Sequence, residues 1–118
     1  MITSYKDLEV YQTSYSLALK IHQLTKEFPK HELYELGSQI RRASISIPLN
    51  IAEGYGKKSS LKDFKRFLSM ALGSSNEILV LLDFIKDLGY IDKSNHIGFV
   101  SEYNVLGKRL YKMIESWK

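Results

Sequence analysis

The chain has 118 residues with 17 Lys and Arg against 13 Asp and Glu, a formal charge of +4, and 44% hydrophobic residues. That is enough for one domain with a true core, and it excludes a disordered or low-complexity chain. With no cysteine it also excludes disulfides, thiolate nucleophiles and thiolate metal sites.

Apolar residues recur at helical spacing nearly throughout, and no alternating stretch bounded by turn residues points to a strand. The first helix is expected from about Ser4 or Asp7 to Lys26. One stripe carries Leu8, Tyr11, Tyr15, Ala18, His22 and Thr25, and a neighbouring one carries Val10, Leu17, Ile21 and Leu24. Phe28-Pro29 ends it, since the residue before proline is pushed out of the α region. The second helix is expected from His31 or Glu32 through Leu33, Leu36, Ile40, Ala43, Ile47 and Ile51 to Gly54, with a kink at Pro48, which lacks an amide donor.

Gly54, Gly56 and Ser59-Ser60 supply a glycine stop and a serine N-cap for the third helix, Leu61 to Leu88, which carries Phe64, Phe67, Ala71, Ser74, Ile78, Leu81 and Ile85. Gly89 stops that helix. Asp92 or Ser94 opens the fourth, with Ile97, Val100, Tyr103, Leu106, Leu110, Met113 and Trp117 on one face. Short connections make neighbours antiparallel, so the expected fold is an all-α, up-down-up-down four-helix bundle occupying residues 1–118 as a single domain. The wide apolar stripes of the first and third helices imply either a subunit interface or a fuller core. The amino-terminal stretch has no signal-like apolar region and no apolar run approaches the roughly 18 residues of a membrane span, so a cytoplasmic location is expected.

Around Pro48, residues Gln39, Arg42, Ser46, Asn50 and Glu53 follow one another by three or four positions and form a polar seam. A hairpin turning near Lys58 would set Ser44 opposite Gly73 and Arg41 opposite Asn76. Arg41 or Arg42 could then pair with Glu77, with Gly73 permitting close approach. No His among His22, His31 and His96 follows a Glu by three residues, so a ferritin-like metal centre is not expected, and no cofactor is. GYGKKS lacks the spacing of a Walker loop, and no nucleophile elbow occurs. Catalysis would require Arg42, Asn50 and Glu53 to share a wet pocket.

The run from Gln39 to Gly54, QIRRASISIPLNIAEG, preceded by YKDLEVYQ and FPKHELYELGSQ and followed by FKRFLSMALGSSNEI, resembles the 23S rRNA intervening-sequence protein family, also called four helix bundle protein. The resemblance covers nearly the whole chain and implies a bundle similar to the accessory protein of diversity-generating retroelements. That implies a homopentameric barrel whose basic surface binds nucleic acid and a reverse transcriptase.

Basic residues concentrate accordingly. Arg41, Arg42, Lys57, Lys58, Lys62, Lys65 and Arg66 form one group, with Lys108, Arg109 and Lys112 a second. Tyrosines such as Tyr55 are able to stack on bases, although core packing explains most of them. The expected role is a non-enzymatic homo-oligomeric adaptor that binds RNA or DNA backbone and docks a protein partner. The alternatives are solvated helix faces on a purely protein-binding scaffold.

Overall fold

Ser4 caps a 3-10 turn, Tyr5–Asp7: its hydroxyl accepts from Lys6 N at 3.2 Å, and the Asp7 carboxylate accepts from Ser4 N at 3.1 Å. Leu8 then leaves the helical region at φ −73°, ψ 127°, and α1 spans Glu9–Thr25. The first helix is thus entered through a separate turn, which places Leu8 in the core, and does not run unbroken from Ser4. The structure is a computed structural model describing residues 1–117. Its remaining helices are α2 (Lys30–Leu33), α3 (Leu36–Gly56), α4 (Leu61–Asp87) and α5 (Lys93–Ser116).

The expected second helix is therefore divided at Tyr34 and Glu35, the latter at φ −101°, ψ −92°. Neither Gly nor Pro causes the break. Arg41 reaches back instead, donating from Nη2 to the Leu33 carbonyl and from Nη1 to Thr25 Oγ1, both at 3.0 Å. Those two bonds tie the end of α1, the end of α2 and the first turns of α3 together. Gly37 fits under the clamp, since a Cβ there would lie 2.9 Å from Arg41 Nη1 and 3.2 Å from the Glu32 carbonyl. Beyond it α3 stays helical to Gly56, with Pro48 buried inside it.

The other caps follow the sequence closely. Ser60 Oγ accepts from Asp63 N at 3.2 Å, and Asp92 Oδ1 accepts from Asn95 N at 2.7 Å. Gly89 adopts φ 82°, and bonds from Gly89 N to the Lys86 carbonyl and Tyr90 N to the Ile85 carbonyl close α4 with a Schellman turn.

In space α3 packs between α1 and α4, α5 packs on the other side of α4, and α1 meets α5 only sparsely. Two aromatic pairs mark the ends of the bundle, which measures 45 × 23 × 22 Å. Phe64 and Trp117 meet edge to face at 4.9 Å beside the α3–α4 turn, and Phe28 and Tyr90 lie 5.5 Å apart at the opposite end. Consecutive long helices are antiparallel, which gives the four-helix bundle expected from the short connections.

The core contains Leu17, Ile21, Ile40, Ile47, Ile51, Phe64, Leu68, Ile78, Leu82, Ile85, Tyr103 and Leu106, all essentially inaccessible. Each large apolar side chain so buried contributes about 1.5–3 kcal/mol before entropy is counted. On α1 the stripe of Val10, Leu17 and Ile21 faces inward, whereas Tyr15 is left 52% exposed. On α5 the inward face starts at buried His96, and Ile97, expected inside, is 56% exposed. One further expectation is corrected: by length and composition alone α4 is apolar enough to cross a membrane. Phe64, Leu68, Ala71, Ile78, Leu81, Leu82 and Ile85 of that helix are buried in the bundle.

Candidate nucleic-acid interface

The antiparallel path brings all of the two basic groups except Arg41 and Arg42 to one end. The α3–α4 turn supplies Lys57 and Lys58, the first turns of α4 supply Lys62, Lys65 and Arg66, and the last turns of α5 supply Lys108, Arg109 and Lys112. All but half-buried Lys65 are exposed. Among the described residues, none of Lys57, Lys58, Lys62, Lys65 and Arg66 lies within ion-pair distance of a carboxylate. Their organising partners are aromatic rings. Lys58 Nζ sits 3.8 Å from the centre of the Tyr55 ring, Arg66 Cζ is 4.6 Å from that of Phe67, and Lys57 Nζ is 6.0 Å from the same ring.

A cation held over a ring in this way gains about 0.5–1 kcal/mol at an exposed site while keeping its charge. The rings are fixed in turn. Tyr55 is buried and meets Phe64 edge-on at 6.4 Å. Gly54 provides the close approach of α3 to α4 here: a Cβ on it would fall 2.8 Å from Phe67 Cβ and 3.1 Å from Phe64 Cδ1. Phe67 was assigned to the core by its spacing, and its role beneath two cations lies outside that assignment. The available signal was its position directly after Arg66, one turn into a helix that follows Lys57-Lys58.

The other basic positions are engaged differently. Arg41 is the internal clamp described above. Arg109 pairs with Glu9 across the α1–α5 gap, leaving Lys108 and Lys112 exposed beside it. Arg42 enters an open cleft of about 640 Å³ between α3 and α4, lined with Tyr34, Gln39, Ser46, Ser74 and Glu77 among others. Neither Arg41 nor Arg42 pairs with Glu77 among the described residues.

One residue of the polar seam, Ser46, bonds across to α4. Ser46 Oγ donates to the Ala43 carbonyl at 2.8 Å and lies 2.6 Å from Ser74 Oγ on α4, while Asn50 Nδ2 donates to the Ser46 carbonyl at 2.8 Å. That contact sets the hairpin about three positions away from simple pairing of Ser44 with Gly73. Gly73 is accordingly exposed, and a Cβ added there would meet nothing within 4 Å. Asn50 and Glu53 do not line the cleft that holds Arg42, so the three do not share a pocket. No cluster of three metal-ligating His, Asp or Glu side chains occurs among the described residues.

A second surface takes its α1 side from the wide apolar stripe of the first helix and its α3 side from Pro48 with residues the sequence reading did not single out. Tyr5, Tyr11, Tyr15, Leu19, Ile45, Pro48 and Leu49 line an apolar groove of about 360 Å³ between α1 and α3. Ile45, Leu49 and Ala52 do carry helical spacing, one position aside from the core stripe. Burial within this tyrosine group raises the Tyr11 phenol above its ordinary value, with Tyr5 and Tyr15 adding to the shift.

Comparison with known proteins agrees with this architecture. A family model described as 23S rRNA-intervening sequence protein matches residues 6–112. A crystal structure at 1.70 Å resolution, of a protein of unknown function from the S23 ribosomal protein family of Bacteroides thetaiotaomicron VPI-5482, is 26% identical. It aligns over 91% of this chain and 96% of its own, with a TM-score of 0.82. No curated protein matches the chain.

Proposed function

The chain belongs to the 23S rRNA-intervening sequence protein family, and from that premise we propose that it is a non-enzymatic, homo-oligomeric adaptor that binds nucleic-acid backbone through one end of its bundle. The observation that carries the reading is the group Lys57, Lys58, Lys62, Lys65 and Arg66, exposed or half-exposed, clustered by the α3–α4 turn and without a carboxylate partner among the described residues. Phosphate oxygens are acceptors suited to such cations, and the release of condensed counterions drives the association. The absence of a base-reading motif makes the binding weakly sequence-specific.

Self-association is supported by apolar side chains left in water. Tyr15, Leu19 and Leu49 around the α1–α3 groove and Val80, Phe84 and Leu88 on α4 are each more than half exposed. A groove and a ridge on different faces give a heterologous contact, which closes into a ring when the rotation permits, as in the pentamer that the family resemblance implies. Repetition of the basic end around such a ring multiplies weak phosphate contacts through effective concentration.

The test is fluorescence anisotropy with a structured RNA and an equal-length DNA duplex at several salt concentrations. Micromolar or tighter binding whose log affinity falls steeply and linearly with log salt is the expected result. Replacing Lys58, Lys62, Lys65 and Arg66 together by Ala should lower affinity by about a hundredfold or more and flatten the salt slope, with the thermal transition retained. Unchanged affinity would remove this end from the interface.

A further inference from the structure

Most protein surfaces that hold single-stranded nucleic acid present bare aromatic faces on which bases stack. The basic end of this bundle has aromatic rings in the right place for that, but it does not offer them bare. Tyr55 is only 8% exposed and carries Lys58 Nζ at 3.8 Å from its ring centre. Half-buried Phe67 has a guanidinium carbon at 4.6 Å and an ammonium at 6.0 Å. A base could reach either ring only by displacing a cation that is itself a phosphate ligand, losing one favourable contact to make another.

We infer that Tyr55 and Phe67 are positioning residues that hold Lys58, Arg66 and Lys57 toward phosphates, so that this end takes double-stranded nucleic acid by its backbone and not a single strand by its bases. The inference rests on the nucleic-acid reading above and adds to it a class of ligand. Three arguments converge on the duplex. The cations are organised before the ligand arrives, so less side-chain freedom is lost when a phosphate binds. They come from two connected segments, the turn and α4, with Lys108 and Lys112 of α5 at the same end, a spread suited to phosphates on more than one strand. A duplex also carries a higher axial charge density than a single strand, so more counterions are released per contact.

The experiment uses the full chain with an RNA duplex of about 20 base pairs and a uridine-rich single strand of the same length carrying 2-aminopurine. At equal salt the duplex should bind about tenfold or more tightly, and the 2-aminopurine emission should stay unchanged when the single strand is added in excess protein. Phe67→Leu keeps the Cβ that abuts Gly54 but removes the ring. It should weaken duplex binding about threefold to tenfold, with Phe67→Tyr restoring it. In the same variant the ring-current displacement of the Arg66 guanidinium proton resonances should vanish, a readout that a merely structural role for Phe67 would not link to affinity. Single-strand binding equal to or tighter than duplex binding, with a change in 2-aminopurine emission, would overturn the inference while leaving the nucleic-acid reading in place. Full duplex affinity in Phe67→Leu would overturn it as well. Binding of neither ligand at low salt would sink the nucleic-acid reading itself, and the inference with it.

Discussion

The two ends of the bundle use the same side-chain chemistry in opposite ways. At the end formed by α2 and the α4–α5 connection, Arg41 donates inward to Thr25 and Leu33, Tyr90 donates to Glu32 at 3.1 Å, and buried His96 lies 3.1 Å from Asp83. At the α3–α4 turn the cations lie over aromatic rings and meet no carboxylate within ion-pair distance among the described residues. Arg41 and Arg66 are alike in charge, yet Arg41 donates two hydrogen bonds within the chain whereas Arg66 donates none among the described residues. A count of basic residues therefore does not separate the two ends, whereas the donors left over after intrachain bonding do.

The largest expected effect tests the internal end. Arg41→Ala strands the Leu33 carbonyl and the Thr25 hydroxyl and should destabilise the protein by about 2–3 kcal/mol in urea unfolding, with nucleic-acid affinity unchanged once the protein is folded. Loss of affinity in the folded variant would break the division between the ends. Gly54→Ala probes the packing beneath the basic end. The added Cβ collides with Phe67 Cβ, and a destabilisation of about 1–3 kcal/mol is expected, accompanied by weaker binding as the ring beneath Arg66 is displaced.

A smaller effect comes from the middle of the molecule, where the Tyr103 hydroxyl is fully buried without a partner among the described residues. Burial pushes this phenol far above its ordinary value, with Glu102 adding to the shift. Tyr103→Phe should leave binding unaltered and raise stability by about 1 kcal/mol, measured by thermal and urea unfolding. A loss of stability would mean that the hydroxyl is satisfied in solution.

The smallest effect concerns Asp7, the carboxylate at the basic end that is committed to capping. Bonds from Thr3, chiefly its backbone amide and then its hydroxyl, together with the Ser4 amide, hold it below its usual 3.8. A depressed folded-state pKa means that the stabilisation is present above the unfolded value of 3.8 and is lost as pH falls through the lower folded one. Amide resonances of Thr3 and Ser4 should therefore move as the pH falls below 3.8.

Much of the fold was legible because period and punctuation agree. Ser60, Gly89 and Asp92 mark helix limits by chemistry that acts within a few residues, and Ile40, Ala43, Ile47 and Ile51 occupy the core as their spacing requires. The break at Tyr34 and Glu35 was not legible, because a guanidinium arriving from Arg41, on the following helix, imposes it. Gly73 and Gly54 show the same limit. Either glycine permits close approach, but the register set by Ser46 and Ser74 decides which one is used. Arg41 and Arg42 are neighbours in sequence, and the 100° turn between them sends one against α1 and α2 and the other into the α3–α4 cleft. The concentration of charge near Lys58 was visible from the outset, whereas the rings that hold it required the packing of α3 on α4.

The sparse meeting of α1 with α5 has a kinetic consequence. Each long helix rests chiefly on its neighbours in the chain, so nearly all the packing forms by closing short loops, and a folding time in the microsecond to millisecond range is expected. The contacts joining the first and last helices, Lys20 with Glu102 and Glu9 with Arg109, span the longest loops and contribute least to the core. They should form after the rate-limiting step, so that removing them quickens unfolding and leaves the refolding rate nearly untouched.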